Sequence, residues 1–234
     1  MNFIEEAARW GVLLNEQQQE QFARYLALLL AWNERLNLTA IRDPAGIELR
    51  HFLDSLTCAT VTGSLDQQKV IDIGSGAGFP GLPLKILYPT MRLTLVDSVA
   101  KKCHFLEAVV NELGLKEVVV CSGRAEELGQ MATYREQYDW VLARGVAELR
   151  ILAEYLLPLC RPGGHALAQK GANPTEEIAA SEQALKRLGG GRPILYPVQL
   201  PGREQPHSLI LIEKIANTSP TYPRRPGIPS KRPL

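Results

Sequence analysis

The residues with the clearest chemical potential in this chain are carboxylates, glycines and an arginine placed at the ends of short apolar runs. In Lys69-Val-Ile-Asp-Ile-Gly-Ser-Gly-Ala-Gly-Phe-Pro-Gly-Leu-Pro-Leu84, Asp72 stands two residues before Gly74, and Gly76, Gly78 and Gly81 follow. A β-branched run that breaks into glycines and continues as a helix brings bare backbone N–H groups up to a ligand. Glycine also lets the backbone approach closely, with no Cβ in the way. A second run ends in Leu95-Val-Asp97, followed by Ser98 and Val99. A carboxylate at that place accepts hydrogen bonds from ribose hydroxyls. Gly123-Arg-Ala-Glu-Glu127 follows a third run and carries Ala125 and Glu126, and a fourth run closes on Ala143-Arg144.

These groups need a sheet to position them. Apolar or β-branched runs fall at Val70–Ile73, Leu93–Asp97, Val118–Cys121, Trp140–Ala143, Ala166–Ala168, Ile194–Val198 and Ser208–Ile212. Helical stretches fill the gaps at Ala100–Leu113, Glu148–Leu159 and Thr175–Leu188, and such alternation predicts a mainly parallel sheet covered on both faces. Only Gln199 to His207, with Pro201-Gly202 inside, separates the last two runs. That is too short for a crossover helix, so they are expected to pair antiparallel at the sheet edge.

Residues 1–66 read as a helical extension of about three helices: Phe22, Tyr25, Leu26, Leu29 and Leu30 form an amphipathic stripe, and Asp43-Pro44 is an N-cap followed by proline at the first helical position. Residues 67–216 form the α/β domain. Residues 217–234 are a proline-rich basic tail that is not expected to form a regular element. Such tails are often disordered, although Tyr222, Ile228 and Leu234 offer anchors.

Composition excludes several classes. The chain has 234 residues and a net charge of +1, so bulk charge does not make it a polyanion binder. Its bases gather late: no acidic residue follows Glu213, whereas Lys214, Arg224, Arg225, Lys231 and Arg232 all do. Cys58, Cys103, Cys121 and Cys160 are scattered with no Cys-x-x-Cys pair, which gives no metal site and suits a reducing compartment. The chain shows no signal peptide, and its longest apolar run, Leu26–Trp32, is far short of a membrane span, so a cytoplasmic protein with no membrane partner is expected.

Two ligand classes compete for the glycine turn. Gly76-Ala-Gly78-Phe-Pro-Gly81 matches the G-x-G-x-x-G of dinucleotide sites, which would make the chain an NAD(P)-dependent oxidoreductase. That match lies two residues late, because the glycine that directly follows the strand is Gly74. The other reading, Asp72-Ile-Gly-Ser-Gly-Ala-Gly78, resembles the first motif of class I S-adenosylmethionine-dependent methyltransferases, whose Rossmann-like seven-stranded sheet also ends in an antiparallel pair. Further segments narrow the resemblance: the prolines of Phe79-Pro-Gly-Leu-Pro83, Asn37-Leu-Thr-Ala-Ile41 with His51-Phe-Leu-Asp-Ser-Leu56, Ala143-Arg144, and the tail from Tyr222. Together they are similar to the bacterial small-subunit (16S) ribosomal RNA guanine-N7 methyltransferases, also called glucose-inhibited division protein B.

That resemblance implies S-adenosylmethionine as cofactor, held by Gly74, Phe79, Asp97, Ser98, Val99, Ala125, Glu126 and Arg144, with Gly76 and Gly78 of the turn approaching it closely and Asp72 expected at the mouth of the strand, where a carboxylate helps to orient a cationic sulfonium and its amino-acid moiety. The family usually reads Ala-Arg-Ala where this chain has Ala143-Arg144-Gly145, which adds backbone freedom beside the arginine. Guanine N7 has a free lone pair, so orientation counts for more than a general base, and Arg144 is the residue expected to hold cofactor and base. Arg224, Arg225, Lys231 and Arg232, with Lys170 at the end of the fifth run, are expected to grip phosphates of 16S RNA in the small ribosomal subunit. His51 and Asp54 suit a buried or capping role as well as a functional one. A non-catalytic RNA-binding protein could keep the same fold; the intact turn, Asp72 and Asp97 argue against that reading.

Overall fold

The computed structural model describes residues 3–171, 174–202 and 206–234, so Met1 and Asn2 of the helical extension and part of the Gln199–His207 loop lie outside the described residues. Seven strands form one sheet: β1 (Lys69–Ile73), β2 (Arg92–Asp97), β3 (Val118–Ser122), β4 (Tyr138–Arg144), β5 (Cys160–Lys170), β6 (Ile194–Val198) and β7 (His207–Glu213). Their order is β3-β2-β1-β4-β5-β7-β6. The first five pair in parallel, β7 runs antiparallel to β5, and β6 runs antiparallel to β7. The antiparallel edge is the one expected from the short connection. The strand order reverses between β1 and β4, and the crevice outside the carboxyl ends at such a switch point is where open α/β sheets bind ligands.

Strand alternation sends successive side chains to two separate cores. On one face lie Val70, Leu93, Leu95, Leu142, Leu167 and Leu209, which share a core with Phe22, Tyr25, Leu29, Phe52 and Leu56 of the N-terminal helices. On the other lie Ile71, Ile73, Val141, Ala143, Ala166, Ala168 and Ile210, packed against Leu149, Leu152 and Leu156. The N-terminal helices on the first face are α1 (Phe3–Arg9), α2 (Glu16–Leu36), α3 (Pro44–Ile47), a six-residue π-helix (Glu48–Leu53), α4 (Asp54–Leu56) and α5 (Ala59–Thr62). About three helices were expected here, and the extension is more broken than that. The long one, α2, begins with a reciprocal capping box between Asn15 and Gln18 and ends at Asn37 in the left-handed region. Asp43 caps α3 as expected, its Oδ1 taking the Gly46 N–H at 2.6 Å.

Between the strands run α6 (Gly81–Leu87), α7 (Ala100–Glu112), α8 (Ala125–Leu128), α9 (Leu149–Leu156), α10 (Thr175–Ala180) and α11 (Glu182–Leu188). The C-terminal tail is docked against the second face and contains one helical turn, α12 (Ile228–Lys231), where no regular element was expected. Three devices fasten it. Arg135 donates to the carbonyls of Thr218 (2.6 Å) and Tyr222 (2.7 Å). The Arg224 guanidinium grips the fully buried Glu154 of α9, with Nε 2.9 Å from Oε1 and Nη2 2.6 Å from Oε2. Glu126 accepts the Gly227 N–H at 3.0 Å.

Candidate active site

The glycine turn is held in shape by its own strand and by the next one. Ser75 N–H donates to the Val96 carbonyl (2.9 Å), and its hydroxyl donates to the Asp72 carbonyl (2.9 Å). Asp97 closes the turn from β2, with Oδ2 taking the Gly76 N–H at 2.9 Å and Oδ1 the Val99 N–H at 2.9 Å. Gly74, Gly76 and Gly78 have φ of 69°, 60° and 96°. Two of them have no room for a side chain either: a Cβ on Gly74 would lie 2.8 Å from Val146 Cγ2, and one on Gly78 would lie 2.4 Å from Leu82 Cδ1. Behind the turn, the buried Tyr25 hydroxyl donates to the Ala77 carbonyl. Burial pushes that phenol well above its ordinary range, so it stays a donor.

Asp72 is not at an open mouth, as the sequence led us to expect. Alternation turns it onto the helical face, where it is fully buried beneath the turn. Its Oδ2 takes the Gly81 N–H at 3.0 Å, which fixes the start of α6, and Oδ1 has no hydrogen-bond partner among the described residues. Desolvation pushes its pKa up to about 7, against the pull of the Gly81 N–H, Arg144 and Ser75. Because the folded-state value lies above the unfolded one, folding takes up a proton between them. Stability from the neutral form is complete below the unfolded value and is lost as pH rises to about 7, by roughly 4 kcal/mol in all. Replacing Asp72 by Asn is therefore expected to flatten the fall in stability between pH 5 and pH 8. Urea unfolding at the two pH values checks this; an unchanged slope would show that Asp72 is ionised throughout.

Ser98 and Val99 follow β2 and are exposed at the carboxyl edge, Val99 by 44%. Ala125 and Glu126 open α8 beyond β3 and are buried, and Glu126 uses one oxygen to hold the tail. The turn, Asp97, Ser98 and Val99 thus belong to one edge, while Glu126 links that edge to the C-terminal segment.

Arg144 ends β4 in phase with Trp140 and Leu142, so it points toward the N-terminal helices. Its guanidinium carbon lies 4.6 Å from the centroid of the Phe79 ring. Nη1 donates to Asp54 Oδ2 at 3.1 Å, and Nη2 lies 3.2 Å from His51 Nδ1. His51 itself stacks on Phe79 at 4.7 Å and 20°. Two further residues, which the sequence reading did not pick out, complete the group. The Nε2 of Gln169 donates to the Asp54 carbonyl at 2.9 Å, and His207 Nε2 lies 3.0 Å from Asp54 Oδ1. Period-two counting was the available signal. Gln169 is in phase with Leu167, and His207 with Leu209 and Leu211, so both are polar residues closing an otherwise apolar face. Gly145 has φ of 62° with open space around its Cβ position, so its departure from the family pattern leaves Arg144 seated.

Two residues expected to contact phosphates have partners within the protein. The Lys170 ammonium lies 2.5 Å from Glu177 and donates to the Ala147 carbonyl at 2.6 Å, which commits it to the body of the protein. Arg224 is committed to Glu154, because a buried carboxylate needs a paired cation. Arg225, Lys231 and Arg232 remain exposed on the docked tail. The thiols of Cys58, Cys103, Cys121 and Cys160 are unpaired with one another, and burial raises the first, second and last above the ordinary range. Among the described residues no cluster of His, Cys, Asp and Glu could hold a metal ion, and no helix is long and apolar enough to cross a membrane.

A sheet of this order, with a glycine turn after β1 and a carboxylate closing it from β2, defines the fold of the S-adenosylmethionine-dependent methyltransferases. A solved SAM-dependent methyltransferase from Aquifex aeolicus superimposes with a TM-score of 0.55 over 75% of this chain and 96% of its own, at 18% identity. The particular family is settled by sequence: residues 18–194 match the model for rRNA small subunit methyltransferase G, and the chain belongs to that family. It is 52% identical over 231 residues to the ribosomal RNA small subunit methyltransferase G of Roseiflexus sp. (strain RS-1), covering 99% of this chain and 98% of the relative. The protein of the same name from Chloroflexus aggregans is also 52% identical, covering 99% and 96%. The nicotinamide reading of the displaced glycine pattern is not favoured.

Proposed function

We propose that this protein transfers a methyl group from S-adenosylmethionine to N7 of a guanine in small-subunit (16S) ribosomal RNA, with Arg144 orienting the reacting groups. The observation that carries the reading is the juxtaposition of the cofactor-type turn with a clamped Arg144 at one switch point. The residues fit the cofactor: Gly74, Gly76 and Gly78 hold the turn in a left-handed backbone that leaves no Cβ between it and a ligand on the open side of Gly76, and Asp97 is poised for ribose hydroxyls. Gly74, Phe79, Asp97, Ser98, Val99, Ala125, Glu126 and Arg144 would hold it, while Asp72 acts through the turn. When bound, the cofactor supplies an electrophilic sulfonium methyl and leaves as the neutral thioether. The N7 lone pair forms the new bond and no proton has to be removed, so the protein's part is proximity and alignment. Base chemistry on RNA takes an unstacked or flipped nucleotide.

RNA phosphates would meet Arg225, Lys231 and Arg232 on the docked tail. Deleting the tail would also remove the Arg224–Glu154 pair, so charge alone is the cleaner test. Changing Arg225, Lys231 and Arg232 together to Gln is expected to weaken RNA binding and lower the slope of log affinity against log salt by about 2. A slope equal to that of the unaltered protein would remove the tail from the RNA interface.

A further inference from the structure

We propose that Asp54 and His51, from the N-terminal helical region, are positioning residues that hold the Arg144 guanidinium fixed for the incoming base. This rests on the role given to Arg144 above and extends it to residues on a different layer of the molecule.

The geometry surrounds the guanidinium. Asp54 Oδ2 and the Arg50 carbonyl accept from Nη1 at 3.1 and 3.4 Å, His51 Nδ1 faces Nη2 at 3.2 Å, and the Phe79 ring lies beneath the plane. Nε and the second Nη2 proton have no acceptor among the described residues, on a side chain that is 20% exposed. Those are the donors left for a ligand. A free arginine side chain samples many rotamers, and a clamp on three sides removes that freedom before the base arrives.

The tautomer of His51 follows from its neighbours. The guanidinium can only donate, so Nδ1 is the acceptor; Nε2–H then donates to Thr39 Oγ1 at 2.6 Å, and Thr39 Oγ1 also takes the Ile41 N–H at 3.1 Å. The neutral ring is thus oriented from both ends. Asp54 is likewise anchored by Gln169 on its carbonyl, and the buried His207 Nε2 lies 3.0 Å from its Oδ1. Both residues sit at the junction of the π-helix and α4. A π turn is rare and is found mostly at functional sites; here it brings positions 51 and 54 to bear on one side chain.

Stability alone does not explain this cluster. The face carrying Arg144, Gln169 and His207 is otherwise lined by Trp140, Leu142, Leu167, Leu209 and Leu211, and well-packed apolar residues are commonly as stable as a buried ion pair. The polar row appears only at the carboxyl edge, the side on which open α/β sheets bind their ligands.

The test is a double-mutant cycle on the full chain, using methyl transfer to small-subunit RNA and binding of S-adenosylhomocysteine. Asp54→Asn is expected to lower kcat between about 10- and 100-fold while leaving RNA KM and S-adenosylhomocysteine affinity within about threefold. In an Arg144→Ala background the same change is expected to alter kcat by less than about twofold, because its effect passes through the arginine. His51→Phe, which keeps the stack on Phe79 and removes the acceptor, should show the same loss of effect and serves if Asp54→Asn fails to fold. Independent, multiplicative losses, or a wild-type kcat for Asp54→Asn, would overturn the positioning role. A wild-type rate for Arg144→Ala would instead overturn the role of Arg144 itself.

Discussion

Replacing Arg144 by Ala is expected to lower the rate of methyl transfer on the order of 100-fold, with S-adenosylhomocysteine still bound. The magnitude is that of removing one preorganised donor from an enclosed site. It is large here because the guanidinium is held by Asp54, His51 and Phe79 in the folded protein and needs no reorganisation when substrates arrive. Retained binding of the product shows that the turn and Asp97 are intact, which separates a loss of chemistry from a loss of fold. Single-turnover methylation with saturating RNA is the measurement. Normal binding together with a wild-type rate would remove Arg144 from the reaction.

Gly78→Ala is expected to damage the protein far more than Gly76→Ala, although both glycines belong to the same motif. At Gly76 an added Cβ meets only the Gly74 carbonyl, at 3.8 Å, and the penalty is that of a left-handed residue, about 1–2 kcal/mol. At Gly78 the new Cβ lies 2.4 Å from Leu82 Cδ1 and 2.6 Å from the Tyr25 hydroxyl, with φ of 96°. Leu82 and Tyr25 are fully buried and cannot swing away. Overpacking added to backbone strain gives a loss of roughly 3 kcal/mol or more. The turn would have to move, so S-adenosylhomocysteine binding should be lost along with stability. Thermal unfolding with and without that ligand checks both; equal effects at the two positions would mean that Tyr25 and Leu82 do not support the turn.

The parts of this molecule governed by local pattern were legible in its sequence. Apolar runs marked all seven strands to within a few residues, β5 excepted, whose Arg161-Pro-Gly-Gly164 start hides its beginning. The register of Gly74 against β1 separated a methyl-donor turn from a dinucleotide turn. What escaped notice depends on long-range geometry. The place of Asp72 at the end of a strand points to the mouth of the site, but its phase sends it under the turn. Lys170 and Arg224 look available to phosphates in the sequence because nothing adjacent pairs them; Glu154, the partner of Arg224, is 70 positions away. The Arg144 cluster draws on five separate segments, around Thr39, His51, Phe79, Gln169 and His207, and no spacing within one segment announces it.

Methyl transfer to N7 of a guanine in small-subunit RNA can be followed on the substrate itself. Small subunits from cells lacking the protein would be incubated with the full chain and S-adenosylmethionine labelled in its methyl group, and the modified nucleotide mapped. Label is expected at a single guanine, released as 7-methylguanine, and appearing on the order of 100-fold more slowly with Arg144→Ala. No transfer to the RNA, or label on a different atom or base, would contradict the proposed function.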